Sequence, residues 1–473
     1  MNTLEHIRAG LRDGLSSRVL VPLYQLQRRI RPSTREAIRF FHEGMRFRNA
    51  AHGWTETEKE QWTLARLRQV VRHANQHTTY YRELFQRSGF DPAQDFGFED
   101  YAQLPVLERE DVQQSGPNLV STDIPPQQLR KDATGGSSGK PVEIWLGPEE
   151  RGWRESGIDW FMLRIGVPRG SRVAYLWGHN LDPVASDRFS DRMRDFVQNA
   201  TWLDCFRLSA AELERYHSLL TKRPPKCIVA YAKALADLAM VIREKDERPN
   251  YPTCCLVTGA EKLLPHHRQV VEQVFNCRVH ERYGSRDVGL IGFQVSAAAG
   301  GEFEVDWANV MVEAEHEGPE SSILITKLHG DGMPMLRYRL GDVGRFPVGA
   351  QPGHPNFVLH EVLGRETDRI FLPHGGWIDG IEFPHLMKDH PVLDFQVVQR
   401  PDLSLVVEYV PSGSFTEDNY RRILETLRVN VTGVGITLRE VHEIPRAASN
   451  KWRPVRTEAV QPAPISGNDR ERP

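Results

Sequence analysis

The sequence has few cysteines, and their spacing is irregular. Five cysteines occur among 473 residues, and no two of them form a C-x-x-C pair. This spacing argues against a zinc knuckle or a thiol redox motif. Scattered thiols are typical of proteins kept in a reducing compartment, so we expect a cytoplasmic protein.

The sequence also lacks long apolar runs and an excess of either charge. Its most apolar N-terminal stretch, residues 19–26, is interrupted by Pro22 and Gln25 and is too short to span a bilayer. We therefore expect no integral membrane segment. Sixty basic and 63 acidic side chains give a formal net charge of −3, which argues against a nucleic-acid partner.

Short apolar runs that alternate with helical patterns predict an α/β fold with a largely parallel sheet. The predicted strands are residues 142–146, 172–177, 227–231 and 255–258, and the predicted helices are residues 63–85, 233–243 and 266–275. Residues 300–346 contain short strands and turn residues, which predict a β-rich subdomain. After residue 364 the pattern is α+β, with strands at 369–371, 395–400 and 404–409 and a helix at 417–429.

We therefore expect a large N-terminal domain, residues 1–363, with mixed and mainly parallel sheets. A small mobile α+β domain, residues 364–473, is expected to follow it. The length agrees with this, because a domain usually holds about 100–200 residues.

The strongest local motif is a glycine- and serine-rich loop at residues 134–141. Its glycines allow close backbone approach to phosphate, and its hydroxyls, N–H groups and lysine are suitable phosphate donors. The residues concerned are Thr134, Gly136, Ser137, Ser138, Gly139 and Lys140. The Walker pattern fails, because Pro141 stands where that motif needs a hydroxyl. A flexible surface loop is the alternative interpretation.

Two further motifs combine a glycine turn with a carboxylate. In Tyr283–Gly284–Ser285–Arg286–Asp287, the tyrosine can stack on a base and Asp287 can hold Mg²⁺. In the segment 337–342, Asp342 can accept both ribose hydroxyls. The alternatives are a tight turn with a satisfied aspartate for the first motif and a strand end with a salt bridge for the second.

Two more segments follow, Gly364–Ile370 and Ser449–Arg453. In this order the five segments resemble the adenylate-forming superfamily of acyl-CoA synthetases, adenylation domains and luciferases. They are most similar to its phenylacetate–CoA ligase and capsular-polysaccharide-type branch. The stretch 67–85, with His73 and His77, resembles the opening helix of those proteins, and the resemblance covers about residues 61–456.

The resemblance implies a role for each motif. The hydroxyls of Thr134, Ser137 and Ser138, together with Lys140, would surround the β- and γ-phosphates. The remaining nucleotide residues would be Gly259, Ala260, Glu261 and Tyr283 at the adenine, Gly284 and Ser285 in the turn, Asp287 near Mg²⁺ and Asp342 at the ribose. Catalysis would involve Asp287, Arg365 at the start of a hinge with pivots Thr367 and Asp368, and Lys451 between the carboxylate and the α-phosphate.

Family position also suggests an acyl pocket suited to an aryl or other apolar acid. Its residues would be Trp177, His179, Tyr231, Ala232 and Lys233. Trp177 and Tyr231 are equally well read as plain core residues. Lys233 is either an exposed helix residue, which we favour, or a partner for a second anionic group of the substrate.

Three residues or segments depart from the family pattern. Asp287 is one methylene shorter than the usual glutamate, and Thr367 occupies a pivot that is more often charged. Some relatives carry zinc ligands after the Tyr–Gly–Ser motif. Here that stretch reads Phe293–Ala297, without cysteine or histidine, so no zinc is expected.

The resemblance thus implies an AMP-forming acid–thiol ligase that uses ATP and Mg²⁺, with coenzyme A as co-substrate. One alternative is an adenylate-forming enzyme with an amine or hydroxyl acceptor in polysaccharide or secondary-metabolite assembly. Another is a non-catalytic nucleotide-binding scaffold, although the presence of both Lys140 and Lys451 argues against it. The acid stays open, as does the oligomeric state, with a homodimer as one option.

Overall fold

The computed structural model describes most of the chain in two compact units. The described residues are 32–133, 142–178, 199–205, 208–296, 301–365, 369–374, 376–378, 380, 382–387, 390–412, 415–444 and 455–458. The first unit comprises residues 1–340 and 344–362, and the second comprises residues 341–343 and 363–473.

Nine α-helices of the first unit are described. They are α1 (Pro32–Ala51), α2 (Glu56–His77), α3 (Thr79–Ser88), α4 (Phe98–Ala102), α5 (Arg109–Ser115), α6 (Pro148–Arg164), α7 (Ala210–Lys222), α8 (Ala232–Glu244) and α9 (Pro265–Phe275). A 3₁₀ turn, Gly116–Leu119, follows α5. No helix in the described ranges has both the length and the apolar character needed to cross a membrane.

The strands up to residue 365 form a hairpin and two larger sheets. They are β1 (Arg130–Ala133), β2 (Glu143–Leu146), β3 (Val173–Trp177), β4 (Ala200–Asp204), β5 (Cys227–Tyr231), β6 (Cys255–Gly259), β7 (Val279–Ser285), β8 (Gly289–Phe293), β9 (Phe303–Val305), β10 (Val310–Ala314), β11 (Glu320–Lys327), β12 (Tyr338–Arg345), β13 (Val358–Leu359) and β14 (Glu361–Arg365).

The eight-stranded sheet has the order β13-β9-β8-β7-β6-β5-β3-β4. Strands β4, β3, β5, β6 and β7 run parallel, whereas β8, β9 and β13 are added antiparallel. Every residue of β5 and β6 is buried, as expected for central parallel strands covered on both faces. The prediction of an α/β fold with a mainly parallel sheet is confirmed.

The remaining strands of this group form a four-stranded sheet and a hairpin. The sheet has the order β10-β11-β12-β14, which agrees with the β-rich region expected at residues 300–346. Strands β1 and β2 pair antiparallel, with Ala133 opposite Glu143. The glycine–serine loop, residues 134–141, connects these two strands and lies outside the described residues.

The prediction of one continuous helix over residues 63–85 is wrong, because the helix breaks at Thr78. This residue is extended, with φ −128° and ψ 141°. Its buried hydroxyl donates to the Ala74 carbonyl at 2.7 Å and accepts from the Tyr81 N–H at 3.4 Å. The side chain thus closes α2 and caps α3, a competition with the helix backbone that threonine hydroxyls often win.

The second unit is an α+β fold, as expected. Its described elements are β15 (Ile370–Phe371), β16 (Trp377–Ile378), α10 (Glu382–Met387), β17 (Val392–Gln399), β18 (Leu405–Pro411), α11 (Glu417–Asn430), β19 (Ile436–Glu440) and β20 (Val455–Thr457). A four-stranded sheet has the order β19-β18-β17-β20. Ile423 and Leu427 of α11 are fully buried in the core that also contains the inner face of this sheet.

A buried ion pair anchors α1 to the first unit. The Arg48 guanidinium donates to both carboxylate oxygens of Asp306, at 2.8 and 2.9 Å from Nη2, and Nη1 donates to Ser156 Oγ at 2.8 Å. Burial raises the pKa of Asp306, and the charge of Arg48 opposes that shift. The free-energy cost of burying each charge is therefore offset only while the other partner is present.

We expect Arg48→Met to lower the free energy of unfolding of the first unit by about 3–5 kcal/mol, because Asp306 would remain buried without its cation. The double variant Arg48→Met/Asp306→Leu should recover part of this loss. Urea denaturation followed by tryptophan fluorescence measures both. The control Arg345→Met removes half-exposed pairs with Glu320 and Glu361 and should cost about 1 kcal/mol or less for each pair. Equal losses in the two single variants would contradict this account.

Candidate active site

The Tyr283–Asp287 motif forms the turn between β7 and β8. Gly284 is required there, since a Cβ at this position would lie 2.5 Å from the Gly289 carbonyl oxygen. Asp287 is 5% exposed, and its Oδ2 accepts a hydrogen bond from Tyr338 Oη at 2.8 Å. Tyr338 therefore fixes the orientation of the carboxylate.

The same turn is joined to the hairpin that carries the glycine–serine loop. Arg286 Nη1 donates to Asp132 Oδ1 at 3.1 Å, and Asp132 lies in β1 two residues before Thr134. The structure thus brings the second motif next to the residues that lead into the first. The loop residues Thr134, Gly136, Ser137, Ser138, Gly139 and Lys140 are themselves outside the described ranges.

The residues expected at the adenine lie at one edge of the parallel sheet. Strand β6 ends at Gly259, and its Thr258 pairs with Glu281 of β7, so the end of β6 lies beside the middle of β7, two residues before Tyr283. Ala260 then turns with φ +69°, ahead of Glu261. Gly259, Ala260, Glu261 and Tyr283 are therefore neighbours at the carboxyl ends of two strands, where open α/β sheets bind ligands.

The residues expected in the acyl pocket follow the next strands of this sheet. Trp177 ends β3 and Tyr231 ends β5, and their rings meet edge to face with centroids 4.4 Å apart. The Tyr231 hydroxyl donates to the Gly178 carbonyl at 3.0 Å, and the Arg282 guanidinium lies 4.8 Å from the Trp177 ring centroid. His179 is outside the described residues. The aromatic pair is suited to line an apolar cavity.

Lys233 does not extend into solvent from α8, so the interpretation that we favoured from the sequence is wrong. The residue is 8% exposed, and its Nζ donates to Asp237 Oδ1 at 2.7 Å within the same helix. Ala232, which precedes it, is fully buried. The charge of Lys233 is therefore already matched by Asp237.

The second unit holds the motif residues Asp342 and Arg365. Arg365 Nε lies 2.9 Å from Asp342 Oδ1, and Gly341 beside it has φ +76°, a value that favours glycine. The salt bridge that the alternative interpretation of this motif required is present. Thr367, Asp368 and Lys451 lie outside the described ranges, so their roles stay predictions.

Comparison with known proteins finds relatives along most of the chain. Protein CapK of Staphylococcus aureus is 20% identical over 400 residues, which are 82% of this chain and 87% of that protein. The phenylacetate-coenzyme A ligase of Pseudomonas putida is 22% identical over 324 residues, 66% of this chain and 72% of the ligase. No protein-family model matches.

Solved structures share the fold. A 2-hydroxyisobutyryl-CoA ligase crystallised in the postadenylation state superimposes with a TM-score of 0.66 and 18% identity, over 86% of this chain and 90% of that one. In sequence and in fold, the chain is thus similar to adenylate-forming CoA ligases. The resemblance drawn from the five sequence motifs is confirmed at this level.

A buried cation and a buried anion support the Tyr283–Asp287 turn. Lys327 Nζ and Glu150 Oε1 are 2.9 Å apart, and each side chain is 2% exposed. Burial lowers the pKa of Lys327, and the Glu150 charge opposes that shift. Glu150 also accepts from Arg154, whose Nη1 donates to the Arg286 carbonyl at 2.9 Å and whose Nη2 donates to the Asp287 carbonyl.

Sequence reasoning missed Glu150, Arg154 and Lys327 as supports of the site. Glu150 and Arg154 are an i, i+4 pair on α6, a spacing that is visible in the sequence. Their link to a turn more than 130 positions away has no local signal, because it depends on how α6 packs beneath β8.

We expect Arg154→Met to loosen the turn without unfolding the unit. Two carbonyls lose their donor, and at about 1 kcal/mol for each hydrogen bond amide exchange in residues 279–293 should accelerate about 10- to 30-fold. Hydrogen–deuterium exchange with mass spectrometry measures this. The control Arg215→Met removes an exposed pair with Glu212 on α7 and should leave that exchange unchanged. Unchanged protection in Arg154→Met would show that the turn does not depend on it.

Proposed function

We propose that this protein is an AMP-forming acid–thiol ligase, which joins a carboxylic acid to AMP and then transfers the acyl group to coenzyme A. The observation that carries the proposal is the clustering of its nucleotide motifs. The Tyr283–Asp287 turn, the Gly259–Glu261 bend and the strand before the glycine–serine loop meet at the carboxyl edge of one sheet. The ligase names of several relatives support the same reaction class.

The first half-reaction needs no general base from the protein. A carboxylic acid is already ionised near neutral pH, so its oxygen can attack the α-phosphorus of ATP directly and pyrophosphate leaves. The attack concentrates negative charge at the α-phosphate, so the enzyme acts mainly by positioning the reactants and stabilising that charge. Lys451 and the donors of the glycine–serine loop are the residues proposed for this role.

Asp287 fits a Mg²⁺ ligand by its chemistry. Mg²⁺ commonly takes one or two carboxylates together with substrate phosphates and water. Tyr338 donates to Oδ2 of Asp287, and the carboxylate oriented in this way would hold the metal. When bound, Mg²⁺ would neutralise charge on the phosphates.

The acid is proposed to be aryl or otherwise apolar. Trp177 and Tyr231 supply aromatic walls, and Ala232 adds no bulk. Because Lys233 is paired with Asp237, it offers no uncompensated charge to a second anionic group of the substrate. Exchange of labelled pyrophosphate into ATP, measured with a panel of acids, tests the function. Exchange that depends on one class of acid is expected, and no exchange with any acid would favour the scaffold alternative.

We expect Lys451→Ala to lower the rate of adenylation by about 100-fold or more, the scale for losing one preorganised charge-stabilising group. Hydrolysis or thiolysis of a supplied acyl adenylate should change much less, since a rotation about the hinge at Arg365–Asp368 would already have removed Lys451 from that step. Rapid-quench kinetics of the two half-reactions separate the effects. Equal losses in both would contradict the assignment.

We expect Asp342→Ala to weaken ATP binding by about 2–3 kcal/mol, because two charge-assisted hydrogen bonds to the ribose would be lost. Calorimetric titration with ATP measures the change. The control Asp402→Ala removes an exposed carboxylate that serves a local turn with Ser404 and should leave ATP binding unchanged. A folded Asp342→Ala protein with native ATP affinity would show that Asp342 serves only its salt bridge with Arg365.

A further inference from the structure

Two histidines and an aspartate converge at the C-terminal end of α2. His73 and His77 are four residues apart and lie on one helix face, with ring centroids separated by 4.9 Å. Asp123, from the segment after the 3₁₀ turn, faces both of them. Its Oδ2 lies 3.8 Å from His73 Nδ1 and 3.9 Å from His77 Nε2, and the three atoms all lie within 4.8 Å of one another.

The hydrogen bonds around His73 decide which of its ring nitrogens carries the proton. His73 Nε2 lies 3.1 Å from the Asp331 carbonyl oxygen, which can only accept, so Nε2 carries hydrogen. Ser121 Oγ donates to Asp123 Oδ1 at 2.7 Å and contacts the same Nε2 at 3.1 Å as an acceptor. The lone pair of His73 is therefore at Nδ1, directed toward Asp123.

His73 Nδ1 and Asp123 Oδ2 therefore face each other, and both atoms are electron-pair donors. The 3.8 Å separation of Nδ1 and Oδ2 is too long for a hydrogen bond. A cation between them would satisfy both atoms.

The backbone holds the three side chains in place. The Thr122 N–H donates to the His77 carbonyl at 2.9 Å, and the Ser121 N–H donates to the Gly332 carbonyl at 2.9 Å. The segment that carries Asp123 is thus tied to the end of α2 on one side and to the Asp331–Gly332 turn on the other. Ligands held in this way lose little freedom when they bind, which favours affinity.

We propose that His73 Nδ1, His77 Nε2 and Asp123 Oδ2 form a binding site for a divalent cation of the zinc class. Two imidazoles and one carboxylate are a common zinc ligand set, with bonds of about 2.0–2.2 Å. Tetrahedral bonds of that length place ligand atoms about 3.3 Å apart. Asp123 therefore needs to approach each ring by about half an ångström, and the two ring nitrogens, which lie within 4.8 Å of each other, need to close by up to about 1.5 Å. All three side chains are partly exposed, which leaves a fourth position for water.

This site differs from the one that the sequence made improbable. We expected no zinc in the protein because residues 293–297 lack cysteine and histidine, whereas the proposed cluster joins α2 to the segment that leads into β1. In known metal sites, a ligating histidine donates its other N–H to a carbonyl or carboxylate, and a ligating carboxylate is itself hydrogen-bonded. Here His73 Nε2 donates to the Asp331 carbonyl, and the Ser121 hydroxyl donates to the Asp123 carboxylate.

The test is calorimetric titration of the chelator-treated full chain with Zn²⁺, followed by absorption spectroscopy with Co²⁺. We expect one equivalent to bind and the melting temperature to rise. His77→Ala and Asp123→Asn should each weaken binding at least about 100-fold, and Ser121→Ala about 10-fold. The control His316→Ala removes a histidine that is 70% exposed and lies elsewhere, so it should change nothing.

Two results would overturn the proposal. One is unchanged Zn²⁺ stoichiometry and affinity in both His77→Ala and Asp123→Asn. The other is a thiolate-to-cobalt charge-transfer band in the native protein, which would assign the bound metal to cysteine. Asp123 is on the surface, so its amide variant tests the site even if a histidine variant fails to fold.

Discussion

The buried pair of Lys327 and Glu150 is the contact on which the geometry of the candidate active site depends. Both side chains are buried, and burying either charge without its partner would cost several kcal/mol of folding free energy. The pair supports the motif turn because Glu150 also accepts from Arg154, and Arg154 in turn donates to two carbonyls of the turn. The balanced charges of Lys327, Glu150 and Arg154 on the inner side of α6 thus determine the position of Asp287.

The same turn is restrained from two other sides. Tyr338 of β12 binds the Asp287 carboxylate, and Asp132 of β1 binds the Arg286 guanidinium. Strands from three separate sheets therefore meet at one short motif. This convergence explains how a loop of small and polar residues can present a carboxylate in a fixed direction, which electrostatic catalysis requires.

Most of the fold was predictable from local patterns, because fully buried strands such as β5 and β6 appear as short apolar runs. The break at Thr78 was not, since helical spacing of apolar residues continues through it to Tyr81 and Phe85. The hydrogen bonds of the Thr78 hydroxyl determine that break. At the site, the motifs were visible as glycine turns beside charges, and the family resemblance identified them. The contacts between motifs were not visible, because the Arg286–Asp132 pair spans 154 positions. Lys233 is different: its partner Asp237 is four residues away, so i, i+4 spacing could have revealed the pair.

The central claim is that the carboxylate of the substrate bonds to the α-phosphorus of ATP. Isotope transfer tests this directly. With an acid labelled by ¹⁸O in its carboxylate, in the presence of ATP and coenzyme A, mass spectrometry of the products should find one labelled oxygen in AMP. That oxygen bridges carbon and phosphorus in the acyl adenylate and stays with phosphorus when the thiol attacks. Label in inorganic phosphate, or AMP formed without label, would contradict the account.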